Sequence, residues 1–327
     1  AHCDAIRQLC AGHAEPSFSG WAAGTAPREA GRVSHHLMDR TAVNRDTIVG
    51  CFWMAVAACC FTAMGGAARE LHLSGFSTPN IMVWRSSIGL VLATVIILCF
   101  ARVSDFGTKQ KKGHLIRNCV HFVGQYAWFY ALGLLPLVLV TSLNATVPLW
   151  GAILAIVYLK EKVTVQRLVV IALAFAGVLI ILRPGGVEFH HATIVSLIGA
   201  MGYAGSMILA KQLTIKDSPM TVVFWMMLIQ LPMSLLFTAI VGEWVWPAWS
   251  DALSIIVVGG TGVLAHFSMA TGMSKADATI AMPVTYIQFP LVAAIGYFLY
   301  TEIPSIYTGI GTVLIVAANW YNITRRE

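Results

Sequence analysis

Long apolar stretches follow one another through this chain from about residue 47 onward, and they limit its folding more than any other feature. About 20 helical residues cross the roughly 30 Å hydrocarbon core of a bilayer, where unpaired backbone groups find no water. Only 11% of the residues are charged, against about 25% in soluble domains. The stretches do not alternate as the strands of a membrane barrel would. The sequence therefore predicts an all-α polytopic membrane protein.

Ten transmembrane helices are predicted, of which the third and the eighth contain polar residues. The duplication described next supports both of these, because five spans in one half require five in the other. The predicted spans are 48–68, 80–101, 115–134, 137–159, 164–182, 191–211, 220–241, 252–273, 278–299 and 304–323.

One sequence pattern occurs twice, at 133–164 and at 272–305. In each copy a small-residue turn leads into an apolar run that has a proline near its middle and a glutamate at its end. Pro148 and Glu161 are 13 residues apart in the first copy, and Pro290 and Glu302 are 12 apart in the second. The repeat predicts two five-helix halves, 47–186 and 187–327, preceded by a disordered cytoplasmic tail over 1–46.

The basic residues predict the orientation of the chain. With the N-terminus in the cytoplasm, 18 of the 21 lysines and arginines fall on the cytoplasmic side, whereas Arg69 and Arg183 fall outside and Arg85 lies within the second span. This bias predicts cytoplasmic N- and C-termini in a multi-pass protein of the inner (plasma) membrane. Because five is an odd number, the two halves must be inverted repeats, an architecture typical of secondary transporters.

Two loops at corresponding positions differ in charge as this inversion requires. The loop at 243–251 has no basic residue and contains Trp244, Trp246 and Trp249. Since tryptophan prefers the membrane–water interface, this loop is expected on the outer surface. Its counterpart in the first half, 102–112, is basic and is expected in the cytoplasm.

These features together resemble a known family. The stretch from Phe129 to Gly186 is similar to the first EamA repeat of the drug/metabolite transporter superfamily, and the second copy resembles the same pattern more loosely. The resemblance implies an EamA-like bundle of ten helices with a central cavity between spans 1–4 and 6–9, and transport of a small organic solute. The residues that carry it are Ala131, Leu132, Leu135 and Pro136 in the turn, Pro148, the Lys160-Glu161-Lys162 end and the Arg183-Pro184-Gly185 exit.

Arg85 lies inside the second span, where an arginine costs about 2.5–3.5 kcal/mol at the helix centre unless it is paired or hydrated. It must face the bundle, where it would attract a carboxylate or phosphate of the substrate. The alternative is that it reaches the outer end of the helix and binds carbonyl groups there. All acidic residues lie outside the spans or at their ends, so no buried carboxylate is predicted for proton coupling.

Further polar residues are predicted to line the cavity. His121 and Gln125 share one face of the third span because they are four residues apart. Such residues can also hydrogen-bond neighbouring helices for packing alone. The remaining candidates of this kind are Tyr126 beside them, His266 on the eighth span, Tyr203 on the sixth, and Trp225 and Gln230 on the seventh.

The two prolines, Pro148 and Pro290, are predicted to kink their helices. A proline leaves the carbonyl group four residues earlier without its usual partner, and near the midplane such a carbonyl can bind a polar ligand. A simple kink, with the carbonyl satisfied locally, is the alternative. The residues expected to line these regions are Thr141 and Asn144 on span four, and Tyr286 and Gln288 on span nine.

Glu161 and Glu302 end corresponding helices at opposite faces of the membrane. A carboxylate gains nothing from the negative C-terminal end of a helix dipole. Each is therefore expected to cap or pair with the next helix, which begins at Val163 or Pro304, and a structural role is predicted for both.

The sequence thus predicts a secondary transporter that moves a small organic solute by alternating access. The resemblance implies an amino acid, S-adenosylmethionine or a related metabolite as the candidate substrate. An intramembrane enzyme would need a dyad such as Ser206 with His266, but Gly-Ser pairs are common packing material in apolar helices. A channel would need a ring of like residues at a constriction. Neither alternative is favoured, and no enzyme activity is predicted.

The predicted partners are a small-molecule solute and the lipid bilayer, and a homodimer is left open. None of the seven cysteines has CxxC spacing or a histidine at zinc spacing, so neither a metal nor a cofactor is predicted. The basic residues flank the spans, which favours attraction to lipid headgroups and not to nucleic acid.

Overall fold

The computed structural model describes residues 45–158, 165–182, 190–241, 244–276, 281 and 284–324. Nearly all of the predicted tail lies outside these residues. So do Glu161, with the lysines beside it, and the exit at 183–185.

Within those ranges every regular element is helical. Short 3₁₀ turns occupy Val103–Phe106, Trp249–Asp251 and Thr285–Ile287. The α-helices are α1 (Arg45–Leu73), α2 (Thr78–Phe100), α3 (Lys111–Leu134), α4 (Leu137–Asn144), α5 (Val147–Tyr158), α6 (Val165–Leu182), α7 (His191–Leu213), α8 (Pro219–Val241), α9 (Ala252–Lys275), α10 (Gln288–Tyr300) and α11 (Ile306–Thr324).

Most of these helices are apolar enough for a membrane. Six segments of the described chain have the length and composition to cross one, namely Arg45–Leu73, Thr78–Phe100, Leu137–Leu154, His191–Leu213, Pro219–Val241 and Trp249–Lys275. Shorter apolar helices cover Leu168–Leu182, Thr285–Tyr300 and Ile306–Tyr321. Helix α3, the predicted third span, is in neither group because its buried face carries Arg117, Asn118, His121 and Gln125. The predicted all-helical membrane fold is confirmed.

The helices pack in pairs that obey one rule in both halves of the chain. Where two helices pack together, the helices at the corresponding positions in the other half also pack together. Helix α1 packs along α9, and its counterpart α7 packs along α3. Helix α2 packs against α8, α4 against α10, and α6 against α11, so each of these pairs joins corresponding spans. Every such pair takes one helix from each half. An internal two-fold relation between five-helix repeats produces this pattern.

Glycines let the paired helices approach to backbone contact. A Cβ atom on Gly202 of α7 would lie 2.8 Å from the backbone nitrogen of Gly124 on α3. In the corresponding pair, a Cβ atom on Gly272 of α9 would lie 3.0 Å from the carbonyl oxygen of Gly50 on α1. Without a hydrophobic driving force in lipid, such close packing is a main source of helix association.

The fourth span is broken as its proline predicts. Helix α4 ends at Asn144 and α5 begins at Val147, with Pro148 in its first turn. The amide of Ala145 donates to the carbonyl of Thr141, and that of Thr146 donates to Leu143, before the helix resumes. In the ninth span a 3₁₀ turn over Thr285–Ile287 precedes Pro290. Both prolines thus lie where the regular helical pattern is interrupted.

The two loops that correspond by position share the same turn. The backbone amide of Arg102 donates to Oδ2 of Asp105 at 3.3 Å, and the amide of Ala248 donates to Oδ2 of Asp251 at 2.9 Å. Each aspartate lies within a 3₁₀ turn, at Val103–Phe106 and Trp249–Asp251. The relation between the halves therefore extends from the helices to a loop and its capping carboxylate.

Glu302 differs from its expected role. The next helix, α11, is capped by Ser305, whose hydroxyl accepts the amide of Thr308. The Glu302 carboxylate instead accepts the amide of Leu137, the first residue of α4, at 2.8 Å, and lies 3.1 Å from the guanidinium of Arg69. The free amides at the start of α4 attract a carboxylate. The expectation failed because the nearest helix start in space belongs to the other half of the chain.

Replacing Glu302 with alanine should therefore lower stability. The change leaves Nη2 of Arg69 and the amide of Leu137 without their acceptor, while Nη1 of Arg69 keeps the carbonyls of Leu132 and Leu135. Each such loss costs about 1–3 kcal/mol. A lower melting temperature of the purified protein in detergent is the measurement.

Lys275→Gln is the matched control. Its ion pair with Asp46 joins side chains that are 40% and 63% exposed, and exposed pairs contribute at most about 1 kcal/mol. Equal shifts in the two variants would show that the Glu302 contacts add nothing beyond a surface pair.

Candidate functional site

A group of polar side chains lies enclosed where α2, α3, α7, α8 and α9 meet. We call it the central polar cluster, and define it as Arg85, Arg117, His121, Gln125, Tyr203, Gln230 and His266. Six of the seven were expected from the sequence as cavity residues, and Arg117 joins them here. The cluster combines residues of both halves of the chain.

Arg85 is fully buried, with 0% of its surface exposed. Its Nη1 donates to Oε1 of Gln230 at 3.2 Å and lies 3.9 Å from the sulfur of Met227. Its Nε and Nη2 atoms have no hydrogen-bond partner. A side chain that reached the outer end of its helix would be partly exposed, so Arg85 faces the interior of the bundle.

Gly262 of α9 leaves the space that this arginine occupies. A Cβ atom there would lie 3.1 Å from Nε of Arg85 and 3.4 Å from Nη2. A larger residue would press on the guanidinium edge that carries these two atoms, and it would restrict anything that binds that edge.

A chain of hydrogen bonds leads from Arg85 to His121. Because Oε1 of Gln230 accepts from Arg85, its Nε2 is directed to His121, whose Nδ1 lies 2.7 Å away. An amide nitrogen can only donate, so Nδ1 accepts and the imidazole proton is at Nε2. That Nε2 atom is buried without a partner. It is therefore a free donor beside the arginine.

Aromatic rings enclose His121. The ring centroids of Tyr203 and His266 each lie 5.3 Å from that of His121. Phe61 of α1 packs edge-on against His266 at 5.4 Å. Aromatic or imidazole rings of α1, α7 and α9 thus surround His121. The glycines of α7 allow that helix to approach α3 closely.

Arg117 is the functional candidate that sequence reasoning missed, since it was counted with the cytoplasmic residues that set the orientation. Only 6% of the residue is exposed. Its Nη1 donates to Oδ1 of Asn118 at 2.9 Å, and its Nε has no partner. Arg117 precedes His121 and Gln125 by one and two helical turns, so the spacing of four residues was the available signal.

The cluster carries positive charge without a matching carboxylate. Arg85, Arg117 and Tyr203 lie close enough to interact electrostatically. The acidic residues that the structure describes all lie at helix ends or in loops: Asp46, Glu70, Asp105, Asp217, Asp251 and Glu302. Gln125, which is also buried, has no partner for either amide atom. The arrangement can therefore hold a polar, electron-rich group.

Two other predicted residues lie apart from the cluster. Tyr126 stacks on Tyr130 with ring centroids 6.3 Å apart and also contacts Phe237. Trp225 donates its Nε1 hydrogen to the carbonyl of Phe106 at 3.2 Å, at the end of α8 that meets the 103–106 turn. Trp225 therefore fastens a loop, and its ring packs on His114, not on His121.

The residues near the proline breaks form a separate polar region. The hydroxyl of Thr141 donates to the carbonyl of Leu137 in its own helix, and Gln288 donates to the carbonyl of Ala58 at 3.4 Å. Asn319 of α11, which was not among the expected residues, donates to the carbonyl of Ala145 at 2.9 Å. The ring of Tyr286 lies against that of Phe289, with centroids 6.2 Å apart. Asn144 lies at the end of α4 in this region and is partly buried. The contact from Asn319 thus satisfies one carbonyl group of the interruption from within the protein.

Six residues of the cluster are buried and Tyr203 is partly buried. A cavity of about 310 Å³ lies at the ends of α4, α6, α7 and α11, where Pro136, His190 and Glu302 line it. A second cavity, of about 230 Å³, is lined by α5, α6 and α7 with mainly apolar residues. No residue of the central polar cluster lines either cavity.

A second carboxylate ties the two halves together on the side where the basic loop lies. Asp217, between α7 and α8, accepts hydrogen bonds from Thr108 at 2.7 Å, His114 at 2.8 Å and Gln110 at 3.1 Å. Burial raises the pKa of Asp217, but the hydrogen bonds from Thr108, His114 and Gln110 outweigh this effect. The net pKa lies below the usual 3.8.

Asp217 should make stability depend on acid pH. Its folded pKa is lowered, so its contribution is present above the unfolded pKa and is lost as the pH falls through the folded pKa. Between about pH 5 and pH 3 the melting temperature of the wild type should therefore fall more steeply than that of Asp217→Asn. Asp46→Asn, at an exposed position, should keep the wild-type slope; identical slopes in all three would contradict the assignment.

Comparison with known proteins gives the family context. The sequence profile of the EamA-like transporter family matches residues 48–183 and again residues 191–324. A crystal structure of a protein superposes with a TM-score of 0.60 at 16% identity, covering 86% of this chain and 98% of that one. At that identity the similarity concerns the fold alone.

Several named transporters are related in sequence. An S-adenosylmethionine uptake transporter of Rickettsia bellii is 28% identical over 210 residues, which cover 64% of this chain and 72% of the relative. A riboflavin transporter of Vibrio cholerae is 26% identical over 280 residues, covering 84% and 92%. The pseudopaline exporter of Pseudomonas aeruginosa is 23% identical over 276 residues, covering 82% and 94%.

Proposed function

Because this chain belongs to the EamA-like transporter family, we propose that it carries a small organic solute across the membrane by alternating access, with the central polar cluster as the substrate site. The observation that carries this proposal is the buried chain from Arg85 through Gln230 to His121. Its members come from both halves of the protein. A solute held there would contact both halves at once, as alternating access requires.

The depth of the cluster supports this role. Four residues of the cluster lie roughly 10 to 20 Å from the nearer end of their own helices, counted at 1.5 Å per residue. They are Arg85, His121, Gln230 and His266. The hydrocarbon core is about 30 Å thick, so these side chains lie near its middle. Substrate sites of transporters built from inverted repeats are found at that depth.

Breakable contacts between the halves lie at both ends of the bundle. At one end Glu302 of the second half binds Arg69 and the start of α4 in the first half. At the other, Asp217 of the second half binds Thr108 and its neighbours in the first half. A carrier needs to open one end while the other stays shut. If the contacts of only one of these carboxylates break at a time, one end of the bundle opens while the other end stays shut and the cluster stays enclosed.

The proposal includes the orientation. We place both termini in the cytoplasm, the halves 47–186 and 187–327 as inverted repeats, and the protein in the inner membrane. The basic residues support this. Arg69, an exception on the outer side, has its charge paired with Glu302.

Single cysteines in a cysteine-free background test the orientation. A membrane-impermeant thiol reagent added to intact cells should label Trp249→Cys, where 97% of the side chain is exposed. It should label Ser104→Cys only after the cells are broken. The reverse pattern would show that the chain is inserted the other way.

The candidate solutes are an amino acid, S-adenosylmethionine or a related metabolite. Relatives named for uptake of S-adenosylmethionine support this choice, and relatives named for riboflavin make that vitamin the second candidate. An enzymatic role is not proposed, since the hydroxyl of Ser206 donates to the carbonyl of Tyr203 and cannot donate to His266 as well.

Gln230→Leu tests the site in reconstituted vesicles. Leucine breaks the connection between Arg85 and His121: His121 loses its partner, and Arg85 keeps only the contact with the sulfur of Met227. Saturable uptake of the transported solute should therefore fall about tenfold or more, as for a lost hydrogen bond to a charged group. Radiolabelled S-adenosylmethionine, riboflavin and amino acids form the panel, and uptake is measured as initial rates.

Ser206→Ala is the control, because its hydroxyl bonds only within α7, and it should transport like the wild type. Unchanged uptake by Gln230→Leu would remove the cluster from the transport path. Unitary conductance in a planar bilayer would identify a channel and contradict the carrier.

A further inference from the structure

We propose that the transported solute carries an oxyanion, a carboxylate or a phosphate, and that Arg85 and Arg117 bind it together. This inference rests on the function proposed above, because it specifies what the central polar cluster holds.

The first step concerns charge. Two guanidinium groups lie inside the bundle, with 0% and 6% of the residues exposed, and arginine keeps its charge in proteins. The described part of the chain places no carboxylate among them. A buried charge without a partner is strongly destabilising. An anion that enters between the arginines would remove this penalty, so its binding would be favoured over that of a neutral analogue.

The second step concerns which atoms are free. Arg85 uses only Nη1 for its contact with Gln230, and leaves Nε and Nη2 without partners. These two atoms form one edge of the planar guanidinium, and the edge matches the two oxygens of a carboxylate or phosphate. A neutral carbonyl would use one donor at most. The free edge is therefore shaped for an oxyanion.

The third step is that the other free atoms nearby include further donors. Nε of Arg117 is buried and unpartnered, and so is Nε2 of His121, which carries the ring proton. Arg117 lies one helical turn before His121 on the same face of α3, and Gln230 links His121 to Arg85. The hydrogen-bond chain through Gln230 therefore leaves donors, not acceptors, without partners at Arg85 and His121. Gln125 supplies both kinds of atom for a less charged part of the solute.

Matched pairs of compounds test this inference on the purified full-length chain. S-adenosylmethionine is compared with its decarboxylated analogue, and riboflavin 5′-phosphate with riboflavin. Inorganic phosphate alone shows whether the anion must belong to an organic solute. Dissociation constants are obtained from thermal shift titrations, since a bound ligand raises the melting temperature by mass action.

The anionic member of at least one pair should bind about tenfold or more tightly than its partner, as for a charge-assisted hydrogen bond. In Arg85→Gln and in Arg117→Gln this preference should fall to about threefold or less, since one guanidinium is removed. Arg102→Gln, which removes an exposed arginine in the loop before α3, should keep the full preference.

Arg85→Lys guards against a folding defect. Lysine keeps the charge but lacks the planar edge, so the preference for the anionic member should persist while affinity weakens. A purely structural role would change the melting temperature of the empty protein and leave the ratio within each pair unchanged.

Three results would overturn the inference. They are equal binding within every pair, a preference that survives in the double variant Arg85→Gln/Arg117→Gln, and inorganic phosphate binding as tightly as any organic anion. If a neutral solute is taken up by the vesicles and no anion binds, the carrier function stands and this inference fails. If no solute of any charge is taken up, the proposed function itself fails, and this inference with it.

Discussion

Polar groups must be kept away from lipid, and this constraint organises the whole structure. Apolar side chains are exposed on the outer faces of the helices, where the membrane would lie, while Arg85, His121 and Gln230 are buried and contact only other parts of the protein. A guanidinium in hydrocarbon costs several kcal/mol, so α2, α3, α8 and α9 have to surround it. Gly262 of α9 leaves the space that the guanidinium needs within that enclosure.

The same constraint explains why the carboxylates lie at the ends. Glu302 binds Arg69 and the start of α4, and Asp217 binds a loop and α3. Each joins the second half of the chain to the first where the bundle meets its surroundings. Contacts at the ends can be exchanged for hydrogen bonds to water, whereas the glycine-packed pairs cannot separate without opening the bundle. A protein built in this way can move at its ends around a fixed centre.

Much of the candidate site could be predicted from the sequence, but its partners could not. Arg85, His121, Gln125 and His266 stand out because they are polar residues in apolar spans. Arg117 was assigned to the cytoplasmic charge, because a residue near a helix end can face either water or the interior. Trp225 was expected in the cavity wall and instead fastens the 103–106 turn. The sequence shows that a polar side chain lies within an apolar span. Only the packing of the helices decides which residues that side chain contacts.

The sequence by itself determined the helices, the duplication and the interruption at Pro148, because these follow from apolar length, spacing and backbone chemistry that act locally. The tertiary structure alone decided that Glu302 caps α4 and not the helix after it, since that choice depends on which helix start is nearest in space. It also decided that the free edge of Arg85 points into the bundle beside Gly262. Contacts between residues far apart in the chain arise only when the two halves pack. Only then are the charged side chains of the centre brought together.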